Sequence, residues 1–263
     1  AGQSDHSGAD HRRANALHCS HSGCRMPHCN AAAGDPPIVG RLDNRRPFAW
    51  IGANRYTGED VPYVAANANP LIMMAAVLSP DEVIAATRDW LQRAVIGLNL
   101  CPFAKGVHVK GQIRYVVSEA RADESLLADL ERELHALVAA APAAVDTTLL
   151  IHPWALNAFD DFTRFLDLVE VVLRMHRLDG IVQVASFHPD YVFADTEPDD
   201  ITNCTNRSPF PTLHLLREAS IDRAVAAFPD AAAIYERNLQ TLRDLGIDGW
   251  RNLGVGTPAG ENG

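Results

Sequence analysis

The sequence predicts an α/β protein: a single domain over residues 74–263 with a small, mainly parallel βαβαβ sheet covered by helices, behind a disordered segment at residues 1–73. Three observations carry that expectation. Residues 113–118 (IRYVVS), 147–152 (TTLLIH) and 181–187 (IVQVASF) are almost continuously apolar and rich in β-branched residues, as strands buried on both faces are. Two long segments with apolar residues at helical spacing separate these runs. The first 73 residues show neither period, because Gly, Pro, Asn and Ala interrupt every apolar group.

The leader differs from the rest in charge as well. It holds seven Arg against six acids, which leaves 16 basic and 27 acidic residues of the chain's 23 and 33 for residues 74–263. It also crowds His18, Cys19, His21, Cys24, His28 and Cys29 together. A zinc knuckle is the sharp reading, but a C-x4-C-x4-C spacing without a second Cys/His pair is not a usual zinc pattern. The favoured reading is a disordered leader added by a translation start placed too far upstream, ahead of Met73 and Met74.

The folded part opens with Ser79-Pro80-Asp81-Glu82. A serine cap, proline at the first position and acids facing the positive end of the dipole make a helix start. Val83, Ile84, Trp90, Leu91, Ala94, Val95 and Leu98 continue it at helical spacing to about Asn99. Pro102 then places Cys101 in a turn. Cys101 is a candidate nucleophile, but the negative end of a helix dipole raises a thiol pKa, so a small buried apolar role is favoured.

Residues 123–140 carry Leu126, Leu130, Leu134 and Leu137 on one face, and residues 159–177 carry Phe162, Phe165, Val169 and Leu173. Each is read as a helix between strands. Past the third strand, further helices are expected at 209–218, 220–228 and 230–245.

The candidate site is the stretch Ile181 to Glu218. Two strands end in the same dipeptide, His152-Pro153 and His188-Pro189. In a parallel sheet both imidazoles leave on the side where α/β folds place ligands. His188, oriented by Asp190, is the expected general acid/base, assisted by His214 or His152. Asn206-Arg207-Ser208-Pro209 is read as a capped helix start, whose free amides would bind an anion together with Arg207 and Arg217. The alternatives are a metal-dependent hydrolase using His152, His188, Asp190 and perhaps His214, and a non-catalytic module binding a metabolite or a protein. The oxygen-rich loop with Asp195, Glu197, Asp199, Asp200 and Asn203 has no EF-hand register and is read as solvated.

Composition bounds the partners. A formal charge of −10 disfavours a nucleic-acid binder, and no apolar run is long enough to span a membrane, so a small anionic molecule in the cytoplasm is the expectation. No cofactor fingerprint is present: G-x-G-x-x-G, the Walker loop, H-E-x-x-H and G-x-S-x-G are all missing from the sequence.

The phrases ATRDWLQRAVIGL, NLCPFAKG and FHPDYVFADTEPDDITNCTNRSPFPTLHLLRE resemble an uncharacterised bacterial family, domain of unknown function 1415, over roughly Leu78 to Leu245. The resemblance implies a compact bacterial protein of unassigned activity, and it carries over no catalytic residues.

Overall fold

The first helix begins where the sequence places it. In the computed structural model, which describes residues 78–227 and 233–255, Ser79 caps α1 (Pro80–Trp90) through a reciprocal pair of bonds with Glu82. The expectation for residues 1–73 lies outside the described residues. Leu91–Ile96 continues α1 as a π-helical turn, with Gly97 N–H reaching back five residues to Gln92 O at 2.9 Å. After Asn99, which takes a left-handed φ of 56°, come α2 (Ala104–Val109) and β1 (Ile113–Val117).

The alternation then proceeds through α3 (Asp123–Ala139), β2 (Thr147–Ile151), α4 (Phe159–Met175) and β3 (Val182–Phe187). A 3-10 turn at Ile201–Thr205 leads into β4 (Thr212–Arg217). Helices α5 (Glu218–Ala226) and α6 (Ala233–Asn252) close the described chain. Gly246 breaks α6 with a positive φ of 68°, a conformation that glycine adopts without steric cost.

β4 corrects the expected fold. The sheet order is β1-β2-β4-β3; β1 and β2 are parallel, and β4 runs antiparallel to both of its neighbours. The sheet is therefore mixed, not mainly parallel. The expected helix at 209–218 is a central strand, because its side chains sort by twos. Leu213 and Leu215 face one side of the sheet, while Thr212, His214 and Leu216 face the other. Pro211 stands just before the strand, where its missing N–H leaves no ladder bond unmade, and its carbonyl accepts from His152 N at 3.0 Å.

Helices cover both faces. Leu150, Val182, Leu213 and Leu215 bury against α3 and α4, through Leu130, Leu134, Phe162 and Phe165 among others. On the opposite face, Leu149, Ile151, Ala185 and Phe187 pack under α1, its π turn and the end of α6, where Trp250 and Leu253 reach the cluster. Among the described residues no helix is long and apolar enough to cross a membrane.

Candidate functional site

The expected strand-end histidines do converge, on the face covered by α4. His152 stacks on Phe162 at 5.7 Å between ring centroids, and the same phenyl ring lies 5.1 Å from His188. Both imidazoles are fully buried. Their hydrogen bonds assign their tautomers. His188 Nδ1 accepts from the Asp190 backbone N–H at 3.0 Å, so Nε2 carries the proton and donates to Leu156 O at 3.2 Å. That carbonyl belongs to a residue in the left-handed region, φ 55°, so His188 ties down a strained loop. His152 Nδ1 donates to Ala155 O at 3.0 Å, and its Nε2 is buried without a partner. Burial pushes both imidazoles down to about 4. The contact between Asp190 and His188 is made by a backbone amide, not by the carboxylate expected to orient the ring.

The expected anion site is organised differently as well. There is no helix start at Ser208; its hydroxyl donates to Phe210 O at 2.7 Å within a turn. Asn206 is 1% exposed and donates from Nδ2 to Ser186 O at 3.2 Å. Arg207 spends its guanidinium on Tyr191 O at 3.2 Å and Pro198 O at 2.6 Å, which staples the loop back onto β4's entry. Arg217 lies at the far end of β4, where it donates to Leu137 O, to Ala140 O at 2.7 Å and to Val145 O at 3.1 Å. These are carbonyls of the last turn of α3 and the turn after it, where the helix runs out of backbone donors. The two arginines are fasteners at opposite ends of β4, a six-residue strand that spans roughly 17 Å by strand rise.

The third expected histidine sits on the other face of the sheet from His152 and His188. His214 pairs with Leu149 and Ala185 in the ladder and lines a cavity of about 170 Å³. The floor of this cavity is the sheet itself: Leu149, Ala185, Phe187, His214 and Leu216. Its roof is Trp90, Leu91 and Val95 of α1 and the π turn, with Ala104 and Val107 of α2, and α5 closes one side with Ile221 and Ala224. Trp90 is pinned by its indole N–H to Arg207 O at 2.9 Å and meets Phe187 edge-on at 5.2 Å.

His214 borders this nearly all-carbon space together with Asn206, whose Oδ1 is buried without a hydrogen-bond partner. Thr147 donates its single hydroxyl proton to Leu215 O at 2.6 Å, so the 2.7 Å contact with His214 Nε2 must be donated by the imidazole. Nδ1 is then a lone pair, and no described residue hydrogen-bonds it. Burial pushes His214 to about 4, so the ring is neutral at ordinary pH. Cys101 lines the same cavity, and burial pushes its thiol up, which keeps it protonated and a poor nucleophile.

The structure thus separates the expected catalytic set: His152, His188 and Asp190 lie at the strand ends under α4, while His214 and Cys101 border the cavity. Among the described residues no three His, Cys, Asp or Glu side chains gather as metal ligands. Sequence reasoning missed Thr147 and the cavity's roof. The usable signal for Thr147 was its place at the start of a strand buried at every position. Residues 82–252 match a family described as "Protein of unknown function (DUF1415)". No curated protein and no solved structure matches the chain.

Proposed function

This chain belongs to the DUF1415 family, and from the geometry of its site we propose that it binds a small molecule whose compact, uncharged, largely apolar part enters the cavity under Trp90. The observation that carries this reading is the pairing of an apolar cavity of about 170 Å³ with two unfilled acceptors on its lining residues, His214 Nδ1 and the buried Asn206 Oδ1. An engineered cavity of roughly 150 Å³ suffices for benzene, so the space suits a single ring or a short branched chain. These acceptors favour a hydroxyl or N–H on that part over a plain hydrocarbon, because a ligand lacking a donor leaves them unmet in carbon surroundings.

Recognition is better supported than proton abstraction. With its conjugate acid at about 4, His214 is a weak base. Taking a proton from a hydroxyl of pKa roughly 15 would cost about 15 kcal/mol at roughly 1.4 kcal/mol per unit. His188, the expected acid/base, has both ring nitrogens committed to backbone groups.

The test uses the full chain with toluene and benzyl alcohol as probes, read by thermal shift and by mass-spectrometric labelling of Cys101. Both ligands are expected to raise the melting temperature and to shield Cys101, benzyl alcohol more strongly. In His214→Phe the toluene effect persists and the advantage of the alcohol shrinks. Absence of any shift or shielding from either probe would remove the cavity as a ligand site.

A further inference from the structure

The cavity does not end at α2 and α5. A groove of about 430 Å³ continues it outward, and the two share Phe103, Val107, Asp146, Ser220 and Ala224. The groove also carries Lys110 and Arg223, both exposed, against Asp146 as its one acid. On a chain with a formal charge of −10, this opening is locally cationic by one charge.

We propose that the cavity's ligand is an amphiphilic monocarboxylate: its apolar body fills the space beneath Trp90 and its carboxylate stays in the groove, held by Lys110 and Arg223. The proposal rests on the cavity being a ligand site and names the chemical class of what enters it.

Three features favour this chemistry. An ionised group cannot follow the apolar body inward, since burying an unpaired charge among carbon atoms costs far more than dispersion attraction there returns. Any charge on the ligand therefore sits at the mouth. The mouth has cations with donors to spare. Arg223 uses one nitrogen on Ser220 Oγ at 2.9 Å, leaving most of its five N–H donors, and Lys110 makes no ion pair among the described residues. The acid at the mouth is already engaged, because Asp146 Oδ1 accepts the Ser220 hydroxyl at 2.6 Å. Two monovalent cations beside one carboxylate balance a single negative charge better than the nearly doubled charge of a phosphate monoester.

The experiment is calorimetric titration of the full chain with ω-phenylalkanoates from phenylacetate to 5-phenylpentanoate, each beside the corresponding alcohol. At the best chain length the acid is expected to bind about tenfold more tightly than its alcohol at low salt. That preference should shrink at high salt and vanish in Lys110→Gln/Arg223→Gln, with alcohol affinity unchanged. Equal binding of acid and alcohol to the native protein would overturn the carboxylate while leaving the cavity reading intact. An acid preference that survives the double substitution would overturn the assignment of the head group to Lys110 and Arg223. If neither acid nor alcohol binds at any length, the cavity reading fails and this proposal fails with it.

Discussion

His152, His188 and His214 are neutral for the same reason: carbon surrounds them, and burial holds each imidazole near 4 against an ordinary value of 6.5. Acid therefore destabilises the fold. An unfolded chain takes up these protons near pH 6.5, whereas the folded one refuses them until about 4, so stability is complete above 6.5 and drains away as the pH falls through that window. Each histidine withdraws up to about 1.4 kcal/mol per pH unit across that window. Urea midpoints measured from pH 7.5 to 4.5 should fall steeply below 6.5, and His188→Gln should flatten the slope by about one proton. A midpoint independent of pH between 6.5 and 5 would mean these rings are not held neutral. All three histidines were legible in the sequence as candidates; their surroundings were not. A His-Pro at a strand end states where the chain leaves the sheet. Whether its ring then meets solvent or Phe162 depends on which face α4 covers, and that is a tertiary fact.

β4 shows where local reading stops. Pro209, Pro211 and the run Leu213 to Arg217 have the proline placement and the leucine-rich propensity of a helix start, yet the segment pairs with β2 on one side and β3 on the other. A strand buried on both faces loses the polar alternation that would identify it, and over six residues its pattern cannot be told from a buried helix. The flanking elements were legible because they are long and one-sided: α3 and α4 each run 17 residues with one apolar face. The same strand fixes the role of Arg217. Its guanidinium closes the C-terminal end of α3 by donating to Leu137 O, Ala140 O and Val145 O, so it couples β4 to a helix on the other layer. Arg217→Met keeps the aliphatic stem but leaves these carbonyls to find water. It should cost about 2–3 kcal/mol in urea unfolding, since hydrogen bonds from a charged donor are the strong ones. Arg217→Lys should recover less than half of that, because one ammonium cannot span three carbonyls with the fixed fork of a guanidinium. Unchanged stability in both variants would show that the α3 terminus is held by other contacts.

The three-layer arrangement gives the molecule two unequal halves. Under α3 and α4 the sheet face is filled by leucine and phenylalanine; under α1 and the π turn it is left with about 170 Å³ of space. At roughly 24 cal/mol per Å³ of void, that space costs about 4 kcal/mol. The cost is large beside the roughly 5–15 kcal/mol by which domains are stable, and larger side chains could remove it. Leu91 and Val95 border the space from the π turn, a helical irregularity common at functional sites. A void kept at this cost, next to an irregular helix, fits a ligand site better than a packing fault, and the two explanations separate in one variant. Ala104 lines the cavity from the first position of α2, where leucine is compatible with the helix. Ala104→Leu fills part of the space with a side chain already in low-energy helical geometry. It should raise unfolding stability by about 1 kcal/mol while abolishing the benzyl alcohol and phenylalkanoate responses. A gain in stability with ligand response intact would place the binding site elsewhere. A loss of stability would mean that the roof is already packed against the sheet more tightly than its outline suggests, and that the space does not admit even an isobutyl group.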